Sequence, residues 1–268
     1  MRYNAFILFL MAVCCIAWLA TPKNKPTLYL IGDSTVDDGS GNKGLWGWGK
    51  FLPELMDTQQ LSIKNYAQGG TSTRTFFTGG IWDKRINKRG MWDTVQAKLS
   101  KGDYLLIQFG LNDNGPINDS ARARGVLKGI SDTSVIVYNT VTKQQETVYS
   151  FGGYLRKYIA FAKAKGVHVI ICSSVPRSVW KDGKVVRGEA GFAAWALEVA
   201  KQEQVASVDL NNMIADEYDV MGEVLVNQKL HVLPDVTHTT AEGAKLNATM
   251  VAKGFRQLKK IGIHKFVL

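Results

Sequence analysis

Cysteine is scarce. The 268 residues hold three, and two of them, Cys14 and Cys15, sit inside the apolar N-terminal run, so a chain trimmed of that run keeps only Cys172. One thiol closes no internal disulfide and offers no cysteine cluster to a metal. Histidine is as thin: the four residues at 168, 231, 238 and 264 are widely spaced and form no His-Glu-x-x-His pattern, so no metal and no other cofactor is expected. Acidic residues are outnumbered, 23 against 33 lysines and arginines, for a formal net charge of +10, which suits an anionic partner. No apolar run reaches the roughly 20 residues of a membrane-spanning helix. The longest, Ala5 to Ala20, follows Arg2 and leads into the polar TPKNKP, the layout of a signal-peptide core. Cleavage is expected after Ala17, with residues 1–22 apart from the folded unit. An uncleaved anchor or a lipid anchor on the cysteine pair are the alternatives. The chain is expected to be exported, to the periplasm or the outside, away from nucleic acid.

What is present is a globular composition, 46% apolar, enough to bury one core as a single domain over 23–268. No internal repeat or low-complexity tract interrupts it. Strand-like runs at Thr27 to Ile31, Leu61 to Tyr66, Tyr104 to Phe109, His168 to Cys172 and Ala206 to Leu210 alternate with helical periodicity. The helical stretches are Trp48 to Met56, Trp92 to Leu99, Tyr154 to Lys165, Gly191 to Gln202, and Thr240 to about Ile261. Such alternation is the mark of βαβ units around a parallel sheet of about five strands. Asn114 to Ser150 alone reads as a long polar loop, placed directly after a strand, where long loops tend to be functional.

The ends of these strands carry the chemistry. Strand one runs out of LYLI into GDST, placing Ser34 at the sheet's carboxyl edge, where α/β proteins bind ligands; taken by itself Ser34 reads more readily as a cap or turn residue than as a nucleophile. Strand two ends in NYAQGGTSTRTF, where Gly69 and Gly70 allow a backbone N–H to face a ligand closely. Strand three ends in QFGLNDN and sets Asn112 on the same edge with an amide to donate. Near the C-terminus LPDVTHTTAEG places Asp235 three residues before His238, with Thr239 or Thr240 suited to cap the last helix. Together they supply a nucleophile, an acid–histidine pair and oxyanion donors, the full set that ester hydrolysis requires. GSGNKG at Gly39 to Gly44 matches dinucleotide-binding glycine spacing, but seven residues separate it from the strand end, so it reads as a surface turn.

Ser34, Gly70, Asn112 and His238 are the centres of four blocks that resemble the SGNH, or GDSL-like, hydrolases, from Thr27 onward. The segments GDST, GGTSTRTF, FGLND and DVTH are most similar to those of rhamnogalacturonan acetylesterases. The resemblance implies a flavodoxin-like three-layer α/β/α sandwich with a Ser34–His238–Asp235 triad. It also implies an oxyanion hole from the Ser34 and Gly70 N–H groups and the Asn112 amide, and removal of acetyl groups from pectic polysaccharide. Two positions depart from that subgroup: Thr71 stands where Arg is common, and Leu111 where FGHND is common.

Basic residues follow two of the blocks: Arg74, Lys84, Arg85, Lys88 and Arg89, then Arg122, Arg124 and Lys128. They are either substrate-binding, with Arg74, Arg122 and Arg124 as the named candidates for an acetylated polyuronide, or an ordinary solvated face. Trp46, Trp48, Trp82 and Trp92 are candidates for stacking on sugar rings or for the core. A monomer is expected. A lipase or thioesterase would need an apolar acyl pocket that the loops do not advertise, and a non-catalytic carbohydrate-binding protein would not need an intact triad.

Overall fold

The computed structural model describes residues 25–39, 44–78, 91–188 and 191–268. The expected leader at 1–22, Trp82, and the basic residues Lys84, Arg85, Lys88 and Arg89 lie outside them. In chain order the strands are β1 (Thr27–Gly32), β2 (Ser62–Asn65), β3 (Tyr104–Gln108), β4 (Ser134–Asn139), β5 (Gln144–Tyr149), β6 (His168–Cys172), β7 (Trp180–Lys181), β8 (Lys184–Val185), β9 (Ala206–Val208), β10 (His231–Val232) and β11 (Asp235–Thr239). The α-helices are α1 (Thr73–Phe77), α2 (Met91–Gln96), α3 (Phe151–Ala164), α4 (Phe192–Gln202), α5 (Leu210–Met221), α6 (Glu223–Lys229) and α7 (Ala241–Phe255).

Five strands build the central sheet in the order β2-β1-β3-β6-β9, each neighbouring pair parallel. Side chains alternate across it. Leu28, Leu30, Leu106, Ile170 and Cys172 enter one core, against Trp48, Leu52, Ile214, Tyr218 and the Ala244, Ala248, Val251, Phe255 stripe of α7. Ile31, Leu105, Ile107, Val169 and Ile171 enter the other, against α1 to α4. Because both faces are covered, the strands read as continuous apolar runs rather than as alternation. The chain leaves β1 outward to β2 and then crosses to β3 on β1's other side. The order therefore reverses between β1 and β3, and a crevice opens at their carboxyl ends.

Some elements depart from the sequence expectation for identifiable reasons. Trp48 to Met56 forms two 3₁₀ helices, Trp48–Lys50 and Leu52–Leu55, because Pro53 has no N–H and disfavours the helical conformation of the residue before it. The last helix stops at Phe255 rather than near Ile261, and a separate 3₁₀ turn covers Lys259–Ile261. Thr240 is its N-cap, accepting from the Gly243 N–H. The expected long loop holds an antiparallel hairpin, β4 with β5.

That hairpin is pinned to α1 through Arg74. The guanidinium is fully buried; its Nε donates to Glu146 Oε1 of β5 at 2.8 Å and Nη1 to the Gly125 carbonyl at 2.9 Å. Removing one partner of a buried ion pair strands the other charge away from water. Glu146→Ala should therefore destabilise the protein by about 3 kcal/mol, seen as a lower denaturant midpoint at unchanged slope. An unchanged midpoint contradicts this.

Candidate active site

The turn after β1 is shaped by Asp33. Its backbone carbonyl accepts from the Val36 and Asp37 N–H groups, and its buried carboxylate accepts from the N–H and hydroxyl of Thr35 at 3.0 and 2.8 Å. The turn points Ser34 at β11, where Ser34 Oγ lies 2.8 Å from His238 Nε2. His238 Nδ1 lies 2.6 Å from Asp235 Oδ2. With the Nδ1–H donating to that carboxylate, Nε2 is left as the acceptor for the Ser34 hydroxyl. The other Asp235 oxygen accepts from the Thr237 and His238 N–H groups at 2.8 and 3.1 Å. Partial burial pushes the Asp235 pKa up, but the His238 ring and these N–H bonds outweigh it and hold the carboxyl below its usual range.

Opposite the histidine are three donors. Neither the Ser34 N–H nor the Gly70 N–H is used by another described residue, so both are available to an incoming oxygen. Asn112 donates one amide hydrogen to the Thr71 carbonyl at 2.8 Å, and its Oδ1 accepts from Arg124 Nη1 at 2.7 Å, which fixes the amide's orientation and leaves its second hydrogen unused. Gly70 sits at φ +83°, and a Cβ there would stand 2.8 Å from Arg122 Nη1, so only glycine keeps this N–H in place without strain. Ser34, Gly70, Asn112, Arg122, Arg124 and His238 share an open cleft of about 410 Å³. A larger cavity of about 1050 Å³ lies around Tyr104 and His168, at the amino ends of the strands, and contains none of these groups.

Residues 30–246 match the GDSL-like Lipase/Acylhydrolase family model. The chain belongs to this family. It is therefore a carboxylic ester hydrolase, and its sheet order and helix layers are those of the flavodoxin-like fold. It is 31% identical to a rhamnogalacturonan acetylesterase of Emericella nidulans over 85% of this chain and 83% of that one. It is 27% identical to the rhamnogalacturonan acetylesterase RhgT of Bacillus subtilis over 88% of this chain and 92% of that one. The crystal structure of protein YxiM from Bacillus subtilis superposes with a TM-score of 0.66 at 23% identity, over 87% of this chain and 57% of that one. Among the described residues no group of three or more His, Cys, Asp or Glu side chains could hold a metal ion, and no helix is long and apolar enough to cross a membrane.

The structure brings together Ser34, Gly70, Asn112, Asp235 and His238, and places Arg122 and Arg124 on the cleft. Arg74, expected as a substrate contact, is not there: its guanidinium is buried and committed to Glu146. Trp48 and Trp92 are core residues, and Trp46 packs partly buried against the core, so none of the three stands on the cleft. In this member of the GDSL-like family Thr71 is also buried, its hydroxyl donating to the Gly32 and Gln68 carbonyls. It braces the loop rather than facing substrate.

Two positioning residues and one cleft residue escaped the sequence reading. Asp37 accepts from the Gly69 N–H at 2.9 Å and so holds the Gly69–Gly70 loop against the β1 turn. Asp113, fully buried, accepts from the N–H and hydroxyl of Thr73 and from the Gly110 N–H, locking the Asn112 turn to α1. Arg177 reaches the cleft from beyond β6. The two extra carboxylates of DSTVDDG and the Asp after Asn112 were the available signals for the first two. Arg177 had none.

Two outcomes follow from this arrangement. Arg124→Gln should lower kcat on a small aryl acetate by about tenfold, because the guanidinium orients an oxyanion donor and each such donor is worth about 2.7–4 kcal/mol where deleted outright. Arg122→Gln should leave that rate near wild type. Equal effects would show that Arg124 does not position Asn112.

Burial raises the Asp113 pKa to about 7, with the nearby Asp33 charge adding to it and the Thr73 and Gly110 donors opposing it. A raised carboxyl contributes stability that is fully present below the ordinary carboxylate range and is lost as pH rises through the folded value. The stability advantage of wild type over Asp113→Asn should therefore shrink between about pH 4 and about pH 7 and then level off. A difference that stays constant or grows over this window, measured by thermal melts, contradicts the assignment.

Proposed function

We propose that this chain is an exported serine esterase that removes acetyl groups from acetylated pectic polysaccharide of the rhamnogalacturonan type. The observation that carries the reading is a Ser–His–Asp relay set among three cleft arginines, Arg122, Arg124 and Arg177, none of which has a carboxylate partner among the described residues. Unpaired guanidiniums beside a nucleophile favour a substrate that brings its own carboxylates, as a galacturonate chain does. The names of the relatives support the same substrate. The apolar N-terminal run supports export, which a polymeric substrate outside the cell requires.

In the reaction so read, Ser34 Oγ attacks the acetyl carbonyl as His238 Nε2 takes its proton. Asp235 holds the ring in the productive tautomer and stabilises its positive charge. The carbonyl oxygen becomes an oxyanion held by the Ser34 and Gly70 N–H groups and the Asn112 amide. Collapse breaks the bond to the sugar oxygen, which receives the proton from His238 and leaves as the free hydroxyl. Water, deprotonated by the same histidine, then attacks the acetyl-serine. Acetate departs as His238 returns the proton to Ser34.

Ser34→Ala should lower kcat on acetylated rhamnogalacturonan fragments by at least about a thousandfold with the fold intact. If the arginines meet carboxylates, kcat/KM of the wild type on those fragments should also fall as salt rises from about 0.02 to about 0.5 M, since the screening length shortens over that range. A neutral aryl acetate should change little. Equal salt dependence for both, or a higher rate on acetylated xylan than on pectic fragments, contradicts the substrate reading.

A further inference from the structure

A second cavity, of about 310 Å³, adjoins the catalytic cleft, and Leu111 and Arg177 line both. Its walls differ from those of the cleft. Val175, Pro176, Val179, Val186 and Phe192 give it an apolar side, with Val179 and Val186 exposed at 43% and 47%. Its polar lining includes Asn114, Asn211 and Arg187, whose guanidinium is paired with Asp216 and Asp219. Val179 and Val186 flank the β7–β8 hairpin, the Val186 N–H donating to the Val179 carbonyl at 2.8 Å, so the wall is a small paired element rather than a loose loop. Binding sites are typically concave and lined largely by apolar side chains with a few polar groups, the pattern of this cavity beside the catalytic cleft. Arg177 stands on the boundary, exposed, its only side-chain hydrogen bond among the described residues a long one of 3.4 Å to the Leu111 carbonyl.

We infer that this cavity is a glycan subsite. It takes the neutral sugar unit next to the esterified uronate, with that unit's methyl or C–H face against Val179, Val186 and Phe192. Arg177, between the two sites, lies against the uronate carboxylate. The inference rests on the proposed substrate class. Its physical basis is the division of walls: around the nucleophile stand guanidiniums with no carboxylate partner among the described residues, whereas one step away the walls are apolar and the one further guanidinium, Arg187, is already paired with Asp216 and Asp219, which suits a chain that alternates an acidic sugar with a 6-deoxy sugar. A uniformly acidic chain would set a carboxylate against valines and a phenylalanine. The competing occupant is an acyl chain longer than acetyl, which would enter from the nucleophile and use the same apolar wall.

Val186→Trp and, separately, Val179→Trp fill the cavity from its exposed side without altering a group that lines the catalytic cleft. Wild type and both variants are compared on an acetylated galacturonate monosaccharide, the corresponding acetylated disaccharide with rhamnose, an aryl acetate and an aryl butyrate. In wild type, kcat/KM should rise from monosaccharide to disaccharide. In both variants that rise should be lost by about tenfold or more, while the aryl acetate and aryl butyrate rates stay within about twofold of wild type. Variants that keep the full disaccharide gain overturn the subsite. A selective loss of butyrate relative to acetate overturns it in favour of an acyl pocket. A wild type that cleaves the aryl acetate but neither saccharide overturns the substrate class itself, and the subsite with it.

Discussion

The hydrogen bond between Ser34 and His238 spans 204 residues of sequence, and the rest of the fold can be understood as what holds its two ends 2.8 Å apart. Neither end is on a regular helix. Ser34 rides on a turn whose carbonyl and carboxylate bonds all originate in Asp33, and His238 rides on a short strand whose neighbouring carboxylate is bonded three times within the same four residues. Each end is thus locally rigid. Their mutual placement is set through the core: β1 lies inside the sheet, α7 packs its alanine stripe on the same face, and the Trp46 N–H donates to the Thr239 carbonyl at 2.9 Å beside the histidine.

A second consequence of the sheet order is that Ser34 and Asn112, the nucleophile and an oxyanion donor in the proposed reaction, come from adjacent strands. β1 and β3 are neighbours at the point where chain order reverses, so Ser34 and Asn112 emerge side by side from adjacent strand ends. The Gly69–Gly70 loop arrives from β2 on the other side and is held down by Asp37. Two buried carboxylates, Asp33 and Asp113, lie under this arrangement and are both shifted upward by burial. The site thus keeps acidic groups beneath its donors and arginines around its rim, so a carboxylate-bearing substrate meets positive charge first.

Much of this was legible from sequence because the strand ends coincide with the motifs. β6 falls on the residues its apolar run indicates, and Ser34, Gly70 and Asn112 follow the ends of β1, β2 and β3 as their motifs indicate, while Asp235 and His238 lie within β11, a short strand the sequence reading did not assign. What was not legible has a common cause: it depends on tertiary partners. Arg74 sits in a motif among polar residues and reads as a surface cation, yet Glu146, 72 residues later, buries it. The hairpin that carries Glu146 was hidden because SVIVYN and QQETVY are embedded in turn-forming polar residues and leave Val135, Ile136 and Tyr138 exposed, so the stretch carries a strand pattern without the burial that normally marks one. α5 was missed because LNNMIADEYDVM is polar over most of its surface and shows its apolar face only at Leu210, Ile214, Ala215 and Tyr218. Arg177 belongs to no motif and reaches the cleft only through the path of the chain after β6.

The central claim is that Ser34 is the residue acylated during turnover, activated by His238. It is tested most directly by reacting the protein with a fluorophosphonate and locating the adduct by peptide mass spectrometry. A single adduct on Ser34, formed at a rate that collapses in His238→Ala and falls less in Asp235→Ala, is the result this arrangement predicts. An adduct on another residue, or labelling of Ser34 that is indifferent to His238, would contradict it.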